Sequence, residues 1–465
     1  MENSRTLTAG PAAHQGGAVP DPRRKRRLAW LLFFSCVFLY NFTRNYLGTS
    51  DTTPNMYLPV SIILHGDFYL DRFPTLPKIK QRPLPYFLQF RNGRVISSYP
   101  VLPAIMAVPV YLGPVLWLKA QGISYNSPIF SDMCIFSAKL AASLIAACSA
   151  VFVFLTLAHY ASQAKAFALA HLYAFGTSAF PIASQALWMH GPAMLFLSIA
   201  AYLWLCRPNR LTAAGAMLSL AVAARPVTAV AAGIFTIYVV MRRPRELPRF
   251  LAVPAIVAVV LLAFNLHFYN SLTGGYGKIN ADMLQHQRLP SVWSSAIPTA
   301  LAGILISPSR GLFIFSPFLI AGFWGGIRVL RDSRWREWQP LALSVFGQVL
   351  LFSCYSSWWG GMCYGPRLLS EACPYLVLLI APVVPEIDAK RLRRAAFRVL
   401  AGASIFVQSA GAMLWTGNWY TDPTDVDIDH ARLWDWKDNE IARTLRNYHW
   451  SPEPRKPFPT ESSPR

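Results

Sequence analysis

The sequence predicts an all-α membrane protein that crosses the bilayer many times, with its unusual polar residues gathered at the outer ends of its spans. Three observations predict it. Only 14% of the 465 residues are charged while 54% are hydrophobic, whereas a soluble domain carries charge on roughly a quarter of its length. The apolar residues fall into about eleven runs near the length that crosses a hydrocarbon core as a helix. The basic excess, 43 Lys+Arg against 22 Asp+Glu for a net charge of +21, lies mainly in short loops between those runs. That is where the positive-inside rule and anionic lipid surfaces favour it. No zinc-finger spacing or basic helical face accompanies the charge, so nucleic acid is excluded as a partner.

The chain divides into a basic tail, 1–27, a transmembrane domain, 28–415, and a polar tail, 416–465. Arg23-Arg24-Lys25-Arg26-Arg27 precedes the first apolar run, 28–47. No small-x-small cleavage site follows, so this run reads as an uncleaved anchor with its N-terminus in the cytoplasm. A first outer loop occupies about 48–132. Within it, 54–65 is an amphipathic helix candidate, and 86–98 reads as a hairpin turning at Asn92-Gly93, a pair suited to tight β-turns. The stretch 101–118 is apolar but carries Pro103, Pro109 and Pro114.

That stretch decides the topology. If it lies in the membrane interface rather than crossing, the loops 207–210, 242–249, 328–336 and 390–394 all fall on the cytoplasmic side, as the positive-inside rule asks. The remaining spans are then 133–157, 167–184, 191–206, 212–224, 226–241, 250–269, 312–329, 340–357, 373–385 and 395–415. The pair 212–224 and 226–241 turns at Arg225-Pro226, with Arg225 expected as an inner or mid-membrane structural charge. The C-terminus falls outside, where the Trp-rich, acidic stretch from Gly417 is expected to form a small ordered cap. Most of the seven cysteines lie in apolar runs and act as small hydrophobes. Cys363 and Cys373 flank one outer turn, and their spacing leaves open whether they pair.

Ionisable groups at span ends are costly, which makes each a functional candidate. Asp51, in Gly48-Thr49-Ser50-Asp51-Thr52-Thr53-Pro54 just after Arg44 and the first span, has two readings: a general base, or the N-cap of the helix beginning at Pro54. Asp67 and Asp71 are four apart, a spacing that puts both on one helical face as metal ligands or a second acid, or else leaves them in a solvated loop. His190 stands beside Trp188 at the outer mouth of a span, as a site residue or a hydrogen-bonded structural one. Arg310 in Ser309-Arg310-Gly311 and Arg367 in Gly365-Pro366-Arg367 open spans on the outer side, where the positive-inside rule does not call for them. Arginine at a helix start suits phosphate. The bland alternative pairs Arg367 with Glu371, a further acidic candidate, at i,i+4 spacing. Lys278 in Gly274-Gly275-Tyr276-Gly277-Lys278 is a third cationic candidate. Walker A, GxSxG, HExxH and Rossmann fingerprints are missing from the sequence, so nucleotide chemistry has no visible seat. No motif requires a cofactor, and a divalent metal is compatible with the carboxylates.

Over about 28–415 this layout resembles the GT-C superfamily of polytopic glycosyltransferases, especially bacterial protein mannosyltransferase and aminoarabinose transferase-like members. The resemblance rests on Asp51 after the first span, the outer-loop helix 101–118, His190 at the mouth of the fourth span and Arg225 between two short helices. Two positions depart from the superfamily's usual pattern: Thr52 follows Asp51 where a second acid is common, and His190 stands where Asp is frequent. The resemblance implies a multi-pass enzyme of the bacterial inner membrane that moves a sugar, with inversion, from a polyprenyl-phosphate donor to a glycan, lipid or protein hydroxyl at the extracytoplasmic face. Asp51 would be the base, and Arg310, Arg367, Lys278 and His190 the donor-phosphate and substrate contacts. Two other classes fit the sequence: a transporter or flippase of a lipid-linked or anionic substrate, and a non-catalytic assembly subunit in which Asp51 is only a cap.

Overall fold

The computed structural model describes residues 21–43 and 45–446; Arg44, the segment 1–20 and the end of the polar tail, 447–465, lie outside it. The described chain is nearly all helical, with one small hairpin. α1 (Pro22–Phe42) starts where Asp21 accepts a hydrogen bond from the Arg23 amide at 2.8 Å, with proline at the first helical position, where its missing N–H costs nothing. Trp30, Phe34, Phe38 and Phe42 stay exposed along one stripe of α1, as a lipid-facing surface requires. The helix stops short of the predicted residue 47, and 45–49 run on without regular structure.

α2 (Thr53–His65) is not amphipathic. Every residue from Thr53 to Ser61 is buried, so it forms a wedge inside the long segment between α1 and α4, closed by Gly66 in the left-handed conformation. The predicted hairpin is present: β1 (Leu88–Arg91) pairs antiparallel with β2 (Arg94–Ser97), Arg91 opposite Arg94. Asn92 and Gly93 both take positive φ, 50° and 75°, which matches the strand twist. α3 (Leu102–Ala120) is one continuous helix despite Pro109 and Pro114. Its Tyr111 hydroxyl donates to the carbonyls of Met56 and Cys134, both at 2.9 Å. Both ends of α3 remain with residues of the segment between α1 and α4. Ser97 and Tyr99 bond at its start, and beyond its end Tyr125 meets His65 at 3.2 Å and Thr75 at 3.1 Å.

The bundle continues with α4 (Pro128–Tyr160), α5 (Gln163–Gly176), α6 (His190–Cys206), α7 (Leu211–Ala224), α8 (Ala229–Arg242) and α9 (Leu247–Tyr269). α9 buries only Phe250 and exposes Ile256, Val259, Val260 and Leu266. Such an all-apolar exposed surface is stable only against lipid. Next come α10 (Tyr276–His286) and α11 (Ile297–Ile306), absent from the predicted span set, then α12 (Leu312–Phe315), α13 (Ile320–Arg331) and α14 (Gln339–Ser353). The predicted span 312–329 is broken at Ser316-Pro317, and 167–184 at Gly176, where a π-helical turn (Ala179–Ala183) follows. α15 (Cys373–Leu378), α16 (Val384–Ala389), α17 (Arg391–Leu414), α18 (Asn418–Thr421) and α19 (Glu440–Arg446) complete the chain. A Cβ on Gly325 would lie 1.7 Å from the Leu379 carbonyl oxygen and one on Gly322 2.3 Å from that of Leu376. Small residues there let α13 press against the backbone of α15 and the turn after it.

Five helical stretches are long and apolar enough to cross a membrane: Leu102–Ala120, Pro128–Tyr160, Pro244–Tyr269, Ala372–Ala389 and Arg391–Leu414. His190–Cys206, Pro226–Arg242 and Ile297–Ile306 are shorter apolar helices. Contacts tie the basic segments together at one end of the bundle. Gln163 reaches the Asp21 carbonyl at 3.3 Å, Tyr160 the Leu205 carbonyl at 2.8 Å, and Trp204 the Glu337 carbonyl at 2.8 Å. Arg243 pairs with Glu337, Lys165 with Asp388 and Arg328 with Glu386. The segment 48–127 and the ends of α1 and α6 away from these pairs form the other end.

Candidate active site

The chain leaving α1 is pinned before it reaches the site. Lys139 of α4, buried, donates to the Thr43 hydroxyl at 2.7 Å and the Asn45 carbonyl at 2.5 Å. Asn45 in turn donates to the Met413 carbonyl at 2.6 Å, and the Trp188 indole to the Leu47 carbonyl at 3.1 Å. A turn then carries Asp51 inward, leaving it 8% exposed.

Asp51 is not a helix cap. The residue before α2 is Thr52, which makes no side-chain capping bond. The Asp51 carboxylate turns away from the helix. Oδ2 meets Arg367 Nη1 at 2.5 Å, and Oδ1 accepts from the Tyr86 hydroxyl at 2.7 Å. The Tyr99 hydroxyl faces the same carboxylate. Arg367 lies 4.8 Å over the Trp188 ring, and its buried Nε has no hydrogen-bond partner among the described residues. Burial pushes the Asp51 carboxyl up; the charge of Arg367 and hydrogen bonds from Arg367, Tyr86 and Tyr99 outweigh it and hold the group below the usual carboxylate range.

A second buried network holds His190, Arg225 and Glu371. Glu371, 1% exposed, accepts from Arg225 at 2.5 Å and lies 2.8 Å from His190 Nδ1. Gln348 of α14 donates to it at 3.3 Å. The i,i+4 pair between Arg367 and Glu371, the alternative to a ligand role for Arg367, therefore does not form. The segment Arg367–Ala372 is a 3-10 turn, whose tighter winding sends the two side chains to different partners. Arg225, expected as an inner or mid-membrane structural charge, sits in this network with His190 at the mouth of α6. Tyr276 and Tyr355 stand between the networks: the charges of Arg225 and Asp51 bear on both hydroxyls. Each hydroxyl has a thioether for a partner, Met189 at 3.4 Å and Met283 at 3.1 Å.

The other candidates are engaged elsewhere. Arg310, 1% exposed, is spent on Glu440 of the tail at 2.5 Å and on the carbonyls of Trp359 and Ser309 at 2.8 and 2.7 Å. Glu440 also accepts from the Gly365 amide and the Trp415 indole. Arg310 thus locks the tail onto the loop that carries Arg367. Lys278 donates to the Leu84 carbonyl at 3.0 Å and pairs with Asp282 at 3.2 Å. Asp67 and Asp71 lie in a loop, not on one helical face. Each is held by its own arginine, Asp67 by Arg72 at 2.6 Å and Asp71 by Arg94 at 2.9 Å, which leaves no shared metal position between them. Cys363 and Cys373 are free and buried; the latter faces Ser178.

Sequence reasoning missed Tyr86, Tyr99, Tyr276, Tyr355 and Gln348. Aromatic and amide residues near apolar runs carry no periodic signal, and the loops that bring them in are too long to predict.

No family model matches the chain, and no curated protein matches it. Among solved structures it is similar to one described as "Crystal Structure of ArnT from Cupriavidus metallidurans in the apo state", with 14% sequence identity and a TM-score of 0.47. The likeness covers 81% of this chain and 62% of that one, so this chain spans less than two thirds of the length of the protein it is similar to.

Proposed function

We propose that this chain is a membrane glycosyltransferase of the GT-C type. It moves a sugar from a polyprenyl-phosphate donor to an acceptor hydroxyl at the extracytoplasmic face of a bacterial inner membrane. The observation that carries the reading is the Asp51–Arg367 pair: a buried carboxylate and a half-buried guanidinium whose Nε–H has no partner among the described residues, ringed by Tyr86, Tyr99 and Trp188. The basic loops gather at the end of the bundle away from this pair, and both ends of α3 stay with the outer loop. Both facts favour an interfacial α3, an outward site and about eleven spans.

Asp51 takes the acceptor's proton as the acceptor oxygen attacks the anomeric carbon. The bond from that carbon to the phosphate oxygen breaks, and polyprenyl phosphate leaves with the bonding pair. Charge grows on the leaving phosphate, where Arg367 stabilises it. Because Arg367 otherwise binds Asp51, a donor phosphate that draws it away also restores the basicity of the carboxylate. His190, Glu371 and Arg225 shape the adjoining wall. Arg310 and Lys278 take no part in the step. A transport role drew on the break at Arg225-Pro226, yet Arg225 belongs to the same network as His190.

The test is transfer by the purified protein from a panel of polyprenyl-phosphate sugars to acceptors, with products weighed by mass spectrometry. A product heavier than its acceptor by one sugar residue is expected. Scrambling of the donor across vesicles with no product from any sugar would remove the enzyme reading.

A further inference from the structure

One group of side chains outside the two networks has the geometry of a cation site. His286, the last residue of α10, and Asp425 and Asp427 of the tail each offer one ligand atom, and the three atoms lie within 4.8 Å of one another. His286 Nε2 stands 3.8 Å from Asp425 Oδ2 and 3.8 Å from Asp427 Oδ2. That exceeds hydrogen-bond reach. It suits atoms that share one ion: at about 2.1 Å from a metal, ligands about 110–130° apart are roughly 3.4–3.8 Å from each other.

The carboxylates are built to present those oxygens. Asp427 Oδ1 accepts from Trp359 Nε1 at 2.9 Å, from the Tyr420 hydroxyl at 2.5 Å and from Gln287 Nε2 at 2.8 Å. Asp425 Oδ1 accepts from the Asp427 amide at 2.9 Å. Each inner oxygen is thus occupied by a protein donor while Oδ2 faces the imidazole. Metal sites fix their carboxylate ligands in this way. A separate observation points to the same ligand. Gln287 Oε1 is buried and has no hydrogen-bond partner among the described residues, although the amide nitrogen of that side chain is bonded to Asp427. An oxygen donor of the side chain that already holds Asp427 is thus left without a partner among the described residues.

We infer that His286, Asp425 and Asp427 bind a divalent cation, with Gln287 Oε1 as an added oxygen donor. One imidazole with carboxylate and amide oxygens favours a first-row ion such as Zn²⁺ or Mn²⁺ over Mg²⁺, which prefers oxygen and water. The ion's two positive charges balance the two carboxylates. It ties α10, and with it Tyr276, to the tail that carries Glu440. It also adjoins the candidate site through α10: the Tyr355 hydroxyl meets Met283, three residues before His286, at 3.1 Å.

The experiment uses the full chain in detergent, without a polyhistidine tag, stripped by chelator and titrated with ZnCl₂ and MnCl₂. One equivalent of at least one ion is expected to bind and to raise the thermal unfolding midpoint. His286→Gln and Asp425→Asn each weaken that binding about tenfold or more and abolish the midpoint shift. Both side chains are at the surface or held by a single backbone bond, so the variants fold. Absence of binding by either ion overturns the inference. So does binding that persists unchanged in both variants, which would mean an adventitious site on other histidines.

Discussion

Arg310 offers a direct test of how charge is used inside this bundle. Its guanidinium and the Glu440 carboxylate are 1% and 0% exposed and 2.5 Å apart. Replacing Arg310 with methionine keeps the stem volume and removes every donor. Glu440 keeps the Gly365 amide at 2.8 Å and the Trp415 indole at 3.1 Å but loses its counter-charge, and the Trp359 and Ser309 carbonyls lose a partner. Breaking a buried pair from one side costs about 3–5 kcal/mol. Replacing both members by apolar residues recovers much of that cost, because no charge is left buried. Arg310→Met is therefore strongly destabilised, and the double variant Arg310→Met/Glu440→Leu is more stable than the single one. Tryptophan fluorescence during denaturant titration reports it, since Trp359, Trp415 and Trp419 surround the pair. A single variant as stable as the parent, or a double variant no better than the single one, refutes the reasoning. If the single variant stays folded but loses donor affinity alone, Arg310 is a phosphate clamp after all.

Other outcomes follow from the same contacts. Arg367→Gln removes the charge that keeps the Asp51 carboxyl below its usual range. The folded-state pKa then rises, less carboxylate is present at low pH, and the acidic limb of the kcat/KM profile moves to higher pH; an unmoved limb contradicts the pairing. Asp67 is pushed up by burial, but hydrogen bonds from Arg72, Ser61 and the Tyr69 amide bring it down to about 2, against about 3.9 when unfolded. The stability it contributes is complete above the unfolded value and is lost as pH falls through the folded one. Asp67→Asn therefore flattens acid unfolding in that window, as measured by circular dichroism. Glu371→Gln leaves Arg225 without a counter-charge beside His190 and costs about 3 kcal/mol or more; a thermal midpoint equal to that of the parent refutes the network.

The parts legible in the sequence were those with a local physical signature. Asn92-Gly93 specified its turn, and the basic loops the end of the bundle at which they gather. The start of α1 at Asp21-Pro22 was not read: the apolar run begins only at 28, and the helix takes in the basic residues before it. Asp51, His190 and Arg367 stood out because charge at a span end is expensive. Their partners did not stand out. The choice of Asp51 over Glu371 for Arg367 depends on a 3-10 turn, which rotates side chains differently from the assumed α-helix. Arg310 and Arg367 look alike in sequence, each following a small or proline-containing turn at a span start. Only the arrival of Glu440, 130 residues after Arg310, separates the arginine that holds the tail from the one that holds Asp51. α10 and α11 went unseen because the first is polar and the second, at ten residues, is too short to register as a span.

The most direct measurement of the central claim is sugar transfer by Asp51→Asn, compared with the parent in the same detergent and with folding checked by an unchanged elution profile and thermal midpoint. The substitution keeps the shape and the Tyr86 contact but removes the base, so a loss of about 10²–10⁴-fold in turnover is expected, with donor binding retained. Turnover within about threefold of the parent, in a variant that is folded and saturated with donor, would contradict the assignment of Asp51 as the base.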